Sequence, residues 1–466
     1  MKNAWVIGSG PNGLTAGIIL AQAGLNVTVL EAQSQIGGGT RSAELTLPGF
    51  VHDVCSAVHP MAVSSPAFAA FPLREFGLEW IEPPAQLAHP LDDGCILVHR
   101  SIEQTASRLG IDEARYCRLI RSLADHWREL AGDVLAPLRL SQHPLLLARF
   151  GLRAPWPATM AARGHFRTDP ARALFAGMAA HSMLPLEYPG TAAYGWLLAL
   201  SAHGAGWPIA RGGSQAIAKA LAAYFHSLGG QIRCDSEVRS LGEFEPGSLV
   251  LCDITPRQLL ALAGDQLPDT YRKRLEKYRY GPGVFKVDWA LEHPIPWRSS
   301  ECSQAATVHI GGSLDEIATS ERAPSEGETC ERPFVLLAQP SLFDASRAPT
   351  GQHTGWAYCH VPGGCKIDMT EQIENQVERF APGFRATILE RHTMGPECLE
   401  WHNANLIGGN IGGGEQSMQQ LLFRHTEAAY RVPLRRVYLC SSSVAPGPGV
   451  HGMCGYFAAR RALADS

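Results

Sequence analysis

The chain has 466 residues, 45% of them hydrophobic and 18% charged, with a formal net charge of −4. That length exceeds one hydrophobic core and predicts two or three lobes. The near-neutral charge and scattered basic residues exclude the electrostatic footprint of a nucleic-acid binder.

The chain opens on "MKNAWVIGSG", which enters a strand at once and shows no apolar leader followed by a cleavage site. No run of 18 apolar residues follows anywhere, and the expectation is a cytoplasmic protein without a spanning helix. "AWVI" at 4–7 reads as a buried parallel strand. Gly8, Gly10 and Gly13 come next, with Pro11 and Asn12 between them. Leu14, Ile18 and Ala21 then recur at helical spacing up to Gly24, and "NVTVLE" at 26–31 is a second strand tipped by Glu31. Strand, glycine loop, helix and acid-tipped strand form the dinucleotide-binding unit. In such a unit Gly8 turns the chain and Gly10 admits a pyrophosphate. Gly13 lets helix and strand close up, the helix amino end faces the anion, and Glu31 accepts from ribose hydroxyls. Ala32 leads into "AQSQIGGGTRS", where Gly37, Gly38 and Gly39 precede Thr40 and Arg41. Three glycines let backbone pass a bulky ligand, and Arg41 offers a bidentate phosphate contact. A nicotinamide site has no use for this second loop. A flavin dinucleotide, longer and buried throughout, does, and the expected cofactor is FAD.

At these residues the sequence resembles the FAD-dependent phytoene desaturase and amine oxidase superfamily, in particular bacterial phytoene dehydrogenase-like oxidoreductases. Further stretches carry the same resemblance: "WPIARGGSQAIAKALAAYFHSLGGQIRCDSEV" at 207–238, "GWAYCHVP", "APGF", "GGNIGGGEQSMQQLLFR" and the ending "VYLCSSSVAPGPGVHGMCGYFAARRAL" at 437–463. The resemblance implies a backbone segment near Val238 at the adenine. It also implies an α/β fold in which a Rossmann-type FAD-binding domain is interleaved with an α+β substrate domain. The flavin lobe would take 1–70, 205–285 and 395–466, and the substrate lobe 71–204 and 286–394. Ser442 stands where amine oxidases place an acid beside the ribityl chain. Pro448, Phe457 and Asn410 also depart from the usual pattern, which leaves the substrate open.

The ending repeats the opening's spacing: "GPGVHG" at 447–452 is also G-x-G-x-x-G. Only fourteen residues remain after Gly452, too few for a second dinucleotide unit. The expectation is that Val450, His451, Gly452 and Met453 deliver a helix amino end to the flavin ring, where reduction leaves negative charge.

Two stretches between these loops bear on function. "HPLLLARFGLRAPWP" at 143–157 reads either as an interfacial segment that collects an apolar substrate from lipid or as a core helix. Residues 311–332 are the most polar stretch and read as a surface loop or irregular excursion. Twelve cysteines include no C-x-x-C pair, so neither a zinc knuckle nor a redox couple is expected, and no metal. His451 and His59 are the candidate proton-transfer residues, with His52, Asp53 and His181 behind them. The leading activity is desaturation of C–C bonds in a hydrophobic small molecule. The alternatives are an amine oxidase producing an imine and peroxide, and a non-catalytic lipid-binding protein resembling Rab GDP-dissociation inhibitors.

Overall fold

The computed structural model describes residues 3–424 and 427–466. Two sheets organise it. The smaller is five-stranded and parallel, in the order Val437–Leu439, Leu249–Cys252, Asn3–Ile7 (β1), Asn26–Leu30 (β2), Gln231–Arg233. Its strands come from the beginning, middle and end of the chain. They are short and apolar because helices cover both faces, as a parallel sheet requires. The helix Pro11–Gln22 (α1) links β1 to β2. The helix Met453–Ala464 lies on α1, and a side chain at Gly455 would sit 1.9 Å from the Asn12 carbonyl oxygen. The two ends of the sequence therefore pack on one another.

The larger sheet is seven-stranded and mixed, in the order Ile388–Met394, Gly283–Leu291, His353–Val361, Val335–Ala338, Thr307–Ile310, Leu87–Leu91, Gly94–Val98. One of its faces buries an apolar layer that includes Val287, Trp289, Val308, Leu337 and Phe384. Helices from 102–204 roof the other face. The strand Gly283–Leu291 begins ahead of the expected lobe boundary at 286 and is buried along its whole length.

The polar stretch 311–332 is not a loop. Ser313 and Glu316 form a reciprocal capping box that starts the helix Leu314–Arg322, whose Leu314, Ile317 and Ala318 face the core. The signature S-x-x-E was present, and its charged outer face masked it. At 143–157 the helix is divided, with Leu146 and Leu147 half-buried against the core. In the helix Pro144–Gly151 Phe150 is buried, whereas Leu145 is 77% exposed. Among the described residues no helix is long and apolar enough to cross a membrane, and no group of side chains could hold a metal ion. The twelve cysteines are all free.

Candidate functional site

A cavity of about 610 Å³ opens at the carboxyl ends of the parallel strands. It is built from four stretches: residues 7–12, 30–41, 236–262 and 403–450. A crevice of this kind is where open α/β sheets bind nucleotides.

The first glycine loop forms one wall. Gly8 has φ +97°, and a side chain there would meet the Asp253 carbonyl oxygen at 3.0 Å. A side chain at Gly13 would lie 2.1 Å from the Gly8 carbonyl oxygen, so only glycine lets α1 approach β1. Helix α1 starts with Gly10 as its cap residue, which makes no side-chain cap bond. The cap comes from 240 residues away, where Asp253 Oδ2 accepts from the Gly13 N–H at 2.9 Å. Burial pushes the Asp253 carboxyl up to about 7, against a hydrogen bond from Gly13 that lowers it.

Glu31 lines the cavity with its carboxylate already anchored. It accepts from the Ser9 N–H at 3.0 Å, from the Ser9 hydroxyl and from the Gln33 N–H at 3.0 Å. A carboxylate has about four acceptor sites, which leaves capacity for a ligand. Arg41 lies 3.9 Å from Glu31 and donates from Nη1 to the His402 carbonyl at 3.1 Å. Its Nε is buried with no partner.

Gly10, Pro11, Asn12, Ala32, Gly38, Gly39, Thr40, Val238, Ser442 and Val450 also line the cavity. A side chain at Gly38 would sit 3.3 Å from Gly10 Cα, so the two glycine loops meet. Val450 holds φ +57°, which a β-branched residue adopts only when its surroundings impose it.

The rest of the closing loop is placed differently from the expectation. His451, Gly452 and Met453 do not line the cavity. A side chain at Gly452 would meet Thr15 Oγ1 at 2.3 Å and Phe68 at 2.7 Å, so this backbone faces α1. The Met453 N–H donates to His451 Nδ1 at 3.0 Å, which leaves the ring proton on Nε2. That amide is therefore spent on an internal cap rather than offered to a ligand. Burial pushes His451 down to about 4, so the ring is neutral. His59 is likewise buried and lowered to about 4, with Nε2 2.9 Å from Ser214 Oγ, and lies outside the lining. Neither ring lines the cavity, and each keeps one buried nitrogen without a partner, Nδ1 of His59 and Nε2 of His451. Asp53 pairs with Arg347 at 2.7 Å and accepts from Ser42 and Ser214.

Several lining residues lay beyond the sequence reading. Asp253 is the chief one, although "LVLCD" ends in an acid just as β2 runs into Glu31. Asn405 lines the cavity and donates to the Asp253 carbonyl at 2.9 Å. Asn403, Gln258, Leu262 and Ile411 complete the walls, and no local pattern marks them. Behind the second loop Lys286 and Asp288 form a buried ion pair, with His52 Nδ1 3.5 Å from Asp288. Burial lowers His52 to about 4.

Residues 6–71 match the family model of an NAD(P)-binding Rossmann-like domain. The chain is similar to pyridine nucleotide-disulfide oxidoreductase domain-containing protein 2 of Rattus norvegicus, at 24% identity over 556 positions, covering 99% of this chain and 93% of that one. It is 24% identical over 518 positions to a phytoene desaturase of Fusarium fujikuroi, covering 96% and 86%. A solved structure of a putrescine oxidase triple mutant shares the fold, with a TM-score of 0.66 at 16% identity over 100% of this chain and 99% of that one. Over nearly its whole length the chain is therefore similar in sequence to a phytoene desaturase and shares the fold of an amine oxidase. The cavity fits a dinucleotide cofactor. The unpartnered Arg41 Nε calls for an anion, and Gly10 leaves a cradle that a side chain would fill, 2.8 Å from Asp253 Oδ2.

Proposed function

We propose that the chain binds one FAD without a covalent link and uses it to dehydrogenate C–C bonds of a hydrophobic small molecule. The observation that carries this is one cavity shared by both glycine-rich loops near the amino terminus and by the closing loop. Glu31 would accept from ribose hydroxyls, and residues 236–239 would flank the adenine. Arg41 and the amino end of α1 would hold the diphosphate. Ser442, Pro448, Gly449 and Val450 would meet the flavin end. When bound, a flavin supplies the hydride acceptor. The chain's own part at that end is shape and exclusion of water, because these four residues carry no titratable side chain.

The apolar substrate is supported by the molecular surface. Leu138, Leu140, Leu145, Leu152, Trp156 and Met160 are exposed large hydrophobics, with Arg139 and Arg149 exposed among them. Such a patch suits peripheral contact with an anionic membrane, from which an apolar substrate is collected. Leu145→Glu combined with Leu152→Glu should abolish co-sedimentation with phosphatidylglycerol vesicles. Equal sedimentation of the variant would remove this face from the membrane.

The cofactor is tested by acid precipitation, which should leave a yellow supernatant with a flavin spectrum. Colour retained in the pellet, or recovery of NAD, would overturn the proposal, and a colourless protein would favour a non-catalytic lipid binder. Anaerobic bleaching by polyenes but not by amines separates desaturation from amine oxidation.

A further inference from the structure

Beneath the closing loop lies a cation with no anion. Arg424 ends the helix Met418–Arg424 and is 1% exposed. Its hydrogen bonds all go to neutral groups. Nη1 donates to the carbonyls of Gly414 and Glu415 at 3.5 Å each, and Nη2 donates to the carbonyls of Gly412, at 3.2 Å, and Ser442. Nε is buried with no partner. Among the described residues no carboxylate pairs with this guanidinium. Taking an ion out of water is costly, so a buried charge is normally paired. Arg41, by contrast, lies 3.9 Å from Glu31, and the buried Lys286 is paired with Asp288.

Contacts fix where this charge stands. Nη2 is 3.6 Å from the place of a side chain at Gly447, and the Ala445 N–H donates to the Arg424 carbonyl at 3.2 Å. The guanidinium therefore underlies the closing loop, and Ser442, which accepts from it, lines the cavity together with Pro448 and Gly449. Its other carbonyl partners, in 412–415, follow directly on the lining residue Ile411. Arg424 thus braces two segments of wall at the end assigned above to the flavin ring. The closing helix does not offer its first amide there, because the Met453 N–H donates to His451 Nδ1.

We propose that Arg424 is the counter-charge of the reduced flavin and sets how readily the bound cofactor accepts a hydride. The inference deepens the flavin reading and rests on it. Arg424 acts from behind Ser442, without touching substrate, and so is a positioning residue. A hydride brings two electrons and one proton: the hydrogen goes to N5, and the negative charge left over spreads across N1 and the C2 carbonyl. The oxidised ring carries no such charge. A cation held in a wall of low dielectric therefore favours the reduced form over the oxidised one. The same cation holds N1 unprotonated, because an opposite charge nearby favours the ionised state of a titrating group. A guanidinium that served only as a brace between 412–415 and Ser442 would contribute stability and leave the reduction equilibrium where it is.

The test is the midpoint potential of the flavin-loaded protein, read against a redox dye with dithionite as the reductant. Arg424→Gln keeps a donor and removes the charge. It should shift the reduction equilibrium at least about ten-fold toward the oxidised form, or about 30 mV for a two-electron couple. Arg424→Lys keeps the charge and loses the planar fork, and should hold the potential of the unmodified protein. A potential unmoved in Arg424→Gln overturns the proposal. So does an equal drop in both variants, which would make geometry the cause instead of charge. If the variants fail to fold, the unmodified protein decides. With N1 held unprotonated, reduction takes up two electrons and one proton, and the potential should fall by about 30 mV per pH unit between about pH 6 and 8. A fall of about 60 mV per unit, the mark of two protons, overturns the proposal. The colour of the samples keeps the two readings apart. A yellow protein that fails these measurements rejects the role of Arg424 alone, whereas a colourless one rejects the flavin reading and this inference with it.

Discussion

The two glycine loops share a spacing and differ in what their glycines meet. In the first loop the constraint is backbone on backbone, with Gly13 against the Gly8 carbonyl oxygen at 2.1 Å. In the second, Gly449 and Gly452 take φ +133° and +69° against side chains, Met61 in one case and Thr15 and Phe68 in the other. The first loop leads into a helix whose amino end is capped from a distant strand by Asp253, and the second into a helix capped by its own neighbour, His451. Identical spacing therefore fixes turns but not purpose. What differs is the lining: residues 8–12 of the first loop border the cavity, whereas His451, Gly452 and Met453 of the second do not.

The largest effect should come from testing that contrast directly. Gly13→Ala forces a methyl into a carbonyl oxygen with no flexible atom to yield. It should cost more than about 4 kcal/mol and appear as insoluble protein or a collapsed melting temperature. Gly452→Ala meets the end of the Thr15 side chain in a left-handed conformation and should cost about 1–3 kcal/mol. Equal damage from the two would erase the distinction between the loops.

Next in size is acid lability. His52, His59, His89 and His451 are each lowered to about 4 by burial, so the unfolded chain binds protons first. Between pH 6.5 and 4 stability must fall as pH falls, by up to about 3 kcal/mol per histidine. Urea midpoints across that window should drop steeply, and a flat profile would mean that these rings are solvated.

Asp253 works in the opposite sense. Its folded value near 7 lies above the unfolded one, so the folded chain holds the proton longer and stability falls as pH rises from about 4 through 7. Asp253→Asn keeps an acceptor for Gly13 and removes that loss. It should stabilise the cofactor-free protein at pH 8 by up to about 4 kcal/mol and do little at pH 4. Destabilisation at pH 8 would show that the charge itself caps α1.

Glu31→Gln comes next. It removes a charge that anchors Ser9 and Gln33 and should weaken flavin binding about ten- to a hundred-fold, or about 1.5–3 kcal/mol, in a fluorescence titration. An unchanged affinity would place the ribose elsewhere.

How far the sequence revealed all this depends on the range of the contacts. The β1–α1–β2 unit was legible because Gly8, Gly10, Gly13 and Glu31 do their work within about thirty residues, and strand and helix periods are local. Asp253 was not, since it meets Gly13 across 240 positions. His451 misled for a related reason. Its place beside the cavity was visible, but the 3.0 Å bond from Met453 that turns it into a cap depends on the backbone path, which the letters G-P-G-V-H-G do not specify. The exposed Leu145 and Leu152 of 143–157 were ambiguous because amphipathic spacing is the same whether a face meets lipid or core.

The smallest effect belongs to Val450, where the two loops' differences converge. It lines the cavity and holds φ +57°. Glycine there should relieve about 1–2 kcal/mol of backbone strain. Part of the gain is returned through the freer unfolded chain, about 0.4–1 kcal/mol, and through the lost side-chain packing. Val450→Gly should therefore shift stability by less than about 1 kcal/mol. If Val450 is held in this conformation to shape the flavin end, the same variant should loosen bound flavin and alter its absorption bands while its melting temperature barely moves. A melting temperature that falls by many degrees with an unchanged flavin spectrum would instead make Val450 part of the core and detach the closing loop from the cofactor.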